Sequence, residues 1–148
     1  MAGPSPETAI WLALKARIAT LPASIVPQTS ISLPKEAFTP PKSGTNLLPY
    51  LQVQHLPNQT ERIFIKGDAP HRRPGILQLS LMVPNTGSWD FTVTTERAGL
   101  IAAHFPADLR LTGNGVSLRI ELAPSIAQGF PDGAYWKTPI SVRYDCFA

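Results

Sequence analysis

The chain has 148 residues and a mass of 16.1 kDa, the size of one globular domain, and its 43% hydrophobic residues supply a core and exclude a disordered chain. Its single cysteine excludes a disulfide-stapled scaffold, and a net charge of only +3 without a dense basic stripe is well short of what a dedicated nucleic-acid binder is expected to have. Only 16% of the residues are charged, against roughly 25% in an average soluble domain, which indicates a surface partly covered by other subunits.

The first predicted element is a helix over residues 5–21. Ser5 is a good N-cap, Pro6 suits the first helical position, and Glu7 is favourable at the positive end of the helix dipole. Apolar residues follow at helical spacing until Pro22 ends the pattern. Neither a signal peptide nor a membrane-spanning segment is expected, because no stretch approaches the ~20 apolar residues that a span needs.

A proline-rich arm is predicted over residues 22–49, which contain six prolines in 28 positions. Proline fixes φ and lacks an amide donor, so the arm is expected at a sheet edge or a subunit boundary and not as a central strand. Short extended runs are predicted at residues 24–26 and 31–33, and the remainder is expected to be irregular.

The pattern changes to β structure at residue 50. Residues 50–56 alternate between apolar and polar, a short strand is predicted at residues 62–66, and residues 67–75 have the composition of a loop. Residues 77–83 form the most apolar alternating strand and are expected at the centre of the sheet. Together these stretches predict two strands joined by an extended hairpin loop.

A second helix is predicted over about residues 91–105. Phe91, Ala98 and Ile101 are expected on its apolar face, towards the core. Gly99 weakens a helix by about 1 kcal/mol relative to alanine, and close packing against the sheet is the expected reason for this glycine.

The C-terminal third is predicted to hold a hairpin and a final strand. Asn114-Gly115 is a strong hairpin signal between strands at residues 109–111 and 116–122. The final strand, residues 136–146, has its even-numbered residues on one face, and Pro139 within it indicates an edge or a bulge.

These elements predict an α+β fold in one domain, residues 1–148. Two helices that each have one apolar face are covered most simply by one side of one sheet. The expected architecture is a mixed, mostly antiparallel β-sheet with two α-helices packed on one face, an extended hairpin loop and a proline-rich N-terminal arm.

Catalysis is not expected from this sequence. Its histidines are His55 in a strand, His71 in a loop and His104 near a helix end, and none has a nucleophile, acid or metal ligand at useful spacing. Cys146 is interpreted as a small core residue. Phosphate loops, dinucleotide fingerprints and Cys/His metal spacings do not occur, so the sequence predicts no catalytic, cofactor-binding or metal-binding residue and no cofactor.

The hairpin loop carries the best candidates for a binding site. As a solvated loop its charge needs no explanation, and as a contact loop it would meet an acidic protein surface or passing DNA, because arginine offers bidentate pairing. Both interpretations stay open. The candidate interface residues are Lys66, Asp68, His71, Arg72 and Arg73.

Several segments together carry a family resemblance. Residues 73–84, RPGILQLSLMVP, precede a glycine-containing turn and a helix that ends IAAHFP at residues 101–106. GVSLRI at residues 115–120, APSI at 123–126 and FPDGAYW at 130–136 follow. Over about residues 48–148 this succession resembles the tail terminator proteins of long-tailed bacteriophages, a family also described as minor tail proteins or as a phage-related domain of unknown function.

The resemblance implies a ring, usually of six copies, that caps the growing tail tube and stops its polymerisation. The expected partners are further copies of this chain in a homo-hexamer, the tail tube protein, and a head-completion or connector (neck) protein. DNA would pass through the ring without sequence-specific binding, and no membrane is involved. The expected location is the virion, in the tail or neck, after assembly in the host cytoplasm.

Two other functions stay open. One is a neck or head-closure subunit of the virion. The other is a monomeric nucleic-acid- or ligand-binding module that uses the basic loop 66–73, whose affinity would fall steeply with salt. If the loop is an assembly contact, replacement of Arg72 and Arg73 by glutamate is expected to leave the fold intact and to weaken assembly.

Overall fold

Residues 3–148, which the computed structural model describes, form two α-helices, one 3₁₀ turn and ten strands. No helix in this range is long and apolar enough to cross a membrane. The helices are α1 (Pro6–Ile18) and α2 (Phe91–Ala103), the 3₁₀ turn is Gln28–Ser30, and the strands are β1 (Ile31–Ser32), β2 (Lys42–Ser43), β3 (Asn46–Leu47), β4 (Tyr50–Pro57), β5 (Gly75–Pro84), β6 (Arg110–Gly113), β7 (Val116–Ile120), β8 (Ser125–Ile126), β9 (Phe130–Asp132) and β10 (Tyr135–Cys146).

Eight of these strands form one curled sheet. Its order is β1-β4-β5-β10-β7-β6, and β8 and β9 also pair with β10. Only β1 and β4 are parallel; every other described pair in the sheet is antiparallel. Strands β2 and β3 form a separate small hairpin within the arm. The predicted α+β fold with a mixed, mostly antiparallel sheet is confirmed.

The long strands β5 and β10 form the centre of the sheet. They pair in register from Gly75 opposite Tyr144 to Pro84 opposite Tyr135. The alternation of apolar and polar residues puts one apolar row on each strand, and Leu77, Leu79, Ile140 and Val142 are fully buried. The central position predicted for residues 77–83 is therefore confirmed.

Pro139 lies inside β10, so of the two predicted alternatives the edge is wrong, whereas the step from Lys137 opposite Phe130 to Ile140 opposite Ile126 leaves one extra residue on the partner side, as at a bulge. The Pro139 carbonyl accepts a hydrogen bond from the Ala127 amide at 3.0 Å. In a strand the nitrogen and the carbonyl of one residue point to the same side, so the proline nitrogen points away from β5. On the side of β10 that faces away from β5, the paired strand changes from β9 to β8 near Pro139. The amide donor that Pro139 lacks would point to this side, so its absence removes no hydrogen bond to β5.

Helix α1 covers one face of the sheet at β6 and β7. Ser5 caps it by accepting a hydrogen bond from the Thr8 amide, and Pro6 occupies the first turn. Ile10, Leu14 and Ile18 are buried and belong to the same core as the apolar row of the central strands.

Helix α2 covers the same face next to β10 and β8. The Asp90 carboxylate caps it by accepting from the Val93 amide at 2.8 Å. Ala98 and Ile101 are buried in the shared core. The two helices also meet directly, because the Arg17 guanidinium donates to the His104 carbonyl at 2.7 Å.

Both helices end earlier than predicted. After Ile18 and after Ala103 the chain tightens into turns, in which the Leu21 amide bonds to the Ile18 carbonyl and the Phe105 amide to the Ala102 carbonyl. Leu21 and Phe105 are nevertheless buried, so the apolar pattern continues beyond the helical backbone. Gly99 has open space where a Cβ would lie, so close packing does not explain this glycine.

The arm follows the edge of the sheet and then crosses to its other face. The run predicted at residues 24–26 is a turn, because the Ile25 and Val26 amides bond to the Pro22 carbonyl. The run at 31–33 is confirmed in part as the edge strand β1. Further along, the Phe38 ring lies 5.2 Å from that of Tyr50, which packs edge-on to Tyr135. By register this is the face opposite the helices.

Candidate subunit interface

The loop between β4 and β5, residues 58–74 (the β4–β5 loop), contains all five candidate interface residues. Its base continues the sheet, because Arg72 pairs with Glu61 across the loop. The Arg73 amide also donates to the Cys146 carbonyl at 2.7 Å, so the returning half of the loop is attached to the end of β10. The backbone of the loop base is therefore held on both sides.

The Arg72 guanidinium is in contact with three carboxylates. Its nitrogens lie 2.6 Å from Glu61 Oε2, 3.0 Å from Glu121 Oε1 and 3.5 Å from Asp145 Oδ2. Asp145 is only 5% exposed, so its charge depends on this partner and on Arg119 at 3.4 Å. The hydrogen bond with Glu61 raises the pKa of Arg72, and the other two carboxylates act in the same direction.

Arg73 and His71 attach the loop base to the two chain ends. Arg73 Nη1 lies 2.7 Å from Glu7 Oε1, and its Nε donates to the Ala148 carbonyl at 3.0 Å. A hydrogen bond at its own backbone, followed by the charge of Arg73, lowers the pKa of Glu7. The His71 and Ala148 backbones exchange two hydrogen bonds. Arg72 and Arg73 are thus engaged within the chain.

Lys66 and Asp68 lie apart from the other candidates, on the exposed end of the loop. Lys66 Nζ is 4.0 Å from Asp68 Oδ1, and both side chains are mostly in solvent, so this ion pair contributes little. The structure separates the five candidates into two residues at this end and three at the base. It does not bring them together as one charged site.

The end of the loop, residues 62–68 (the loop tip), is apolar as well as charged. Ile63, Phe64 and Ile65 are 44%, 53% and 97% exposed. Arg62 donates from its side chain to the Phe64 carbonyl at 3.0 Å and to the Ile65 carbonyl, which holds the tip in a bend. The strand predicted at residues 62–66 is therefore wrong, since these residues are irregular and then bend, and they have no partner strand among residues 3–148.

A groove lies at the other end of the β5–β10 pair (the α2–β8 groove). It has a cavity volume of about 290 Å³ and is lined by the start of α2, residues 126–129 and part of β10. Phe91 and Ile126 are 63% and 39% exposed on its walls, and Trp136 lines it too. Gly129 lies so close to the Trp136 indole that a Cβ at this position would overlap the ring.

Sequence reasoning misses both the loop tip and the groove. The helical pattern predicts Phe91 in the core, but the first residue of α2 lies beyond the part of the helix that the sheet covers. Ile63 to Ile65 resemble a strand because they are consecutive apolar residues. The sequence feature that argues against a strand is their position, directly before a glycine- and proline-rich stretch that leaves no room for a strand of ordinary length.

His55 is a structural residue under the loop base. Its Nε2 lies 2.6 Å from the Tyr144 hydroxyl, and its ring stacks on Trp11 at a centroid distance of 5.7 Å. Burial lowers the pKa of His55 and raises the pKa of Tyr144 to about 12, so both groups are neutral at pH 7. These contacts connect α1, β4 and β10.

The other titratable candidates also make contacts within the fold. His104 Nε2 lies 2.7 Å from Thr20 Oγ1 and 3.1 Å from the Arg17 carbonyl, and desolvation lowers the pKa of this histidine. Cys146 is buried, and burial raises the pKa of its thiol. Within residues 3–148 no group of three or more histidine, cysteine or acidic side chains is arranged to hold a metal ion.

Comparisons with known proteins agree with this architecture. The sequence model of a phage tail terminator protein family matches residues 9–144. No curated protein matches the sequence significantly. A solved structure without a functional description superposes with a TM-score of 0.76 at 22% identity, over 97% of this chain and 96% of that one. A chain in the virion of a native gene transfer agent particle superposes with a TM-score of 0.51 at 12% identity, over the same shares.

At 22% and 12% identity, the two solved structures show a similar fold, whereas the family match shows to which family the chain belongs. That match extends from α1 almost to the end of β10, which includes the arm and the β4–β5 loop. The family is one of structural proteins and not of enzymes. The resemblance found in the sequence is confirmed: the chain belongs to the phage tail terminator family and is a phage structural protein of the virion.

Proposed function

We propose that this chain closes head to tail into a hexameric ring that caps the phage tail tube, ends its polymerisation and presents the surface for head–tail joining. The observation that carries the proposal is the family match over residues 9–144. The number of subunits comes from the resemblance to the family. The mechanism is steric, because a ring on the tube end covers the edge to which the next tube subunit would bind.

The surface of the chain supports a ring. A closed ring is made by a heterologous contact, in which two different patches of each subunit meet, one on each neighbour. The loop tip and the α2–β8 groove are two such patches, both with exposed large apolar side chains. Exposed apolar clusters on a small domain mark interaction sites. The remaining edge strands and the arm are left for the tube and neck proteins.

The charges of the loop favour assembly over binding to nucleic acid. A phosphate-binding module would need the guanidinium groups of Arg72 and Arg73. Both are paired with carboxylates of the same chain. In the proposed ring they keep the loop base in place, and Lys66 and Asp68 are the charged candidates that remain available to a neighbour. DNA then passes the ring without sequence-specific contacts.

Removal of the gene from the phage that encodes this chain tests the proposal directly. Without a terminator, tube growth continues, so electron microscopy should show tubes longer than the wild-type tail and heads without tails. Supply of the protein in trans should restore the tail length. Tails of wild-type length that stay unjoined to heads would identify a neck subunit instead. Normal joined particles would overturn both functions.

A further inference from the structure

The loop tip is an apolar projection with a fixed shape. Ile65 is 97% exposed, and its neighbours Ile63 and Phe64 are about half exposed. Contacts from Arg62 to the carbonyls of Phe64 and Ile65 fix the bend without any contribution from a partner. Arg62 and Lys66 stand on the two sides of this apolar triplet. The tip is therefore an apolar centre between two positive charges.

The α2–β8 groove has the complementary character. Its lining includes Phe91, Ile126 and Trp136, and the adjoining cavity shares Phe91 and Trp136 and extends the groove towards Trp89. Asp90 directly precedes the lining residue Phe91 and is exposed. Its carboxylate caps α2 and is not within ion-pair distance of a basic group in residues 3–148. The groove is therefore an apolar slot with one carboxylate at its rim.

The groove also contains an unsatisfied polar group. The Thr138 hydroxyl is buried on the groove lining and finds no hydrogen-bond partner within residues 3–148. A buried hydroxyl without a partner is unfavourable, so this part of the groove wall is not fully satisfied within the described residues.

The tip and the groove cannot meet within one subunit. The β4–β5 loop leaves the sheet at Gly75, whereas the groove opens beside Asn85 and Trp136, at the Pro84 end of β5. The ten residues of β5 separate these ends by about 30 Å, at roughly 3.3 Å per residue. A projection at one end and a slot at the other form a contact that only a neighbouring copy can complete.

We propose that the loop tip of one subunit inserts into the α2–β8 groove of the next and that this contact closes the ring. The inference rests on the proposed function and assigns its subunit contact. Ile63 to Ile65 cover the apolar lining, and Lys66 faces Asp90. The occupant of the groove is a second copy of this chain, since the same molecule carries both complementary surfaces.

Disulfide trapping in the full chain tests the contact. The double variant Ile65→Cys, Ile126→Cys places one thiol on the tip and one in the groove; the native Cys146 is buried and is left unchanged. Oxidation should give a ladder of covalent multimers on a non-reducing gel. Because binding raises the local thiol concentration, the ladder should form about tenfold faster than in the control Ile65→Cys, Ser43→Cys, whose second thiol is exposed and outside the lining of the groove.

Single variants test whether the tip of one subunit meets the groove of the other. A mixture of the Ile65→Cys and Ile126→Cys chains should give mainly mixed dimers, in excess over the dimers that either chain forms alone. Lys66→Glu should slow trapping several-fold, because it brings a second negative charge next to Asp90 of the groove-bearing chain. Circular dichroism and thermal melting confirm that each variant is folded before it is compared.

Equal trapping rates for groove and control positions, in folded variants, overturn the proposal. Preferential trapping of the Ile65→Cys chain by tail tube protein added to the reaction also overturns it, because the loop tip then binds a different partner. Either result leaves the proposed function intact if the gene deletion still gives overlong tubes. Tails of normal length would instead reject the function independently of the trapping result.

Discussion

The base and the tip of the β4–β5 loop differ in what holds them in place. At the base, Arg72 contacts three carboxylates and Arg73 bonds to Glu7 and a backbone carbonyl. At the tip, Ile65 is almost entirely in solvent. Arg72 and Arg73, two of the residues predicted to contact a partner, are engaged within the chain, and the apolar residues predicted to form a strand are exposed. In this loop, exposed apolar area is a better guide to a contact than charge.

The largest effect is expected from Arg72→Glu at the loop base. The change removes one of the two cationic partners of the buried Asp145 and adds a fourth carboxylate beside Glu61, Glu121 and Asp145. Loss of one partner from a buried charge pair costs several kcal/mol, so the free energy of unfolding should fall by about 3 kcal/mol. Chemical denaturation of the purified chain measures this change. The contacts of Arg72 thus argue against the sequence-based expectation that charge reversal here leaves the fold intact.

Lys66→Glu at the tip is the matched control. It reverses the same kind of charge within the same loop, but the Lys66 side chain is mostly in solvent. Surface substitutions of this type usually stay within about 0.5 kcal/mol. Equal destabilisation by the two charge reversals would show that base and tip are held alike, and the comparison would fail.

A smaller loss is expected from Gly75→Ala, where the loop enters β5. An added Cβ would overlap the Tyr144 ring, and that ring cannot easily shift because its hydroxyl is bonded to His55. Overpacking of this kind costs about 1–3 kcal/mol. Thermal and chemical unfolding should show the loss, whereas Gly87→Ala, whose Cβ meets nothing within 4 Å, should show none of this steric cost. Equal effects of both substitutions would contradict the close approach at Gly75.

The stability of the loop base should also depend on pH through His55. Burial lowers the pKa of His55, so the unfolded chain binds this proton more readily than the folded chain. The stabilisation is complete above the unfolded pKa of about 6.5 and is lost as the pH falls from there through the folded pKa. Unfolding measured between about pH 7.5 and pH 5.5 should show a decline in the free energy of unfolding.

His55→Gln tests the origin of that decline. Glutamine keeps a hydrogen-bonding group near Tyr144 but does not titrate, so the pH dependence should become shallower. It should not vanish, because desolvation also lowers the pKa of His104, which acts in the same direction. An unchanged slope in the variant would assign the decline to other groups.

The sequence predicts the elements that local chemistry determines. The N-cap at Ser5, the turn at Asn114-Gly115 and the alternation in β5 each depend on neighbouring residues. These features are sufficient for the fold class and the central strands. Positive φ at Asn114 and Gly115 shows that the turn has the backbone that this pair favours.

The partners of a residue depend on long-range contacts, which local patterns do not contain. Arg72 meets Glu121, 49 positions further along the chain, and Asp145 only because β7 and β10 end beside the loop. The groove likewise needs Phe91 and Ile126 from separate elements. The sequence therefore locates the loop correctly as a distinctive region but assigns its charged residues to the surface.

The smallest effect on stability is expected from Ile65→Ser at the tip. A side chain that is 97% exposed loses almost no contact when it is shortened, so the free energy of unfolding should change by less than about 0.5 kcal/mol. Urea denaturation of Ile65→Ser and Gly75→Ala under the same conditions compares the free energies of unfolding for a change at the tip and a change at the base. A loss as large as that of Gly75→Ala would mean that the tip packs on its own chain. Negative-stain imaging across protein concentrations measures ring formation by the same variant. If stability is unchanged and ring formation is weaker, Ile65 contributes to subunit association and not to the stability of the fold.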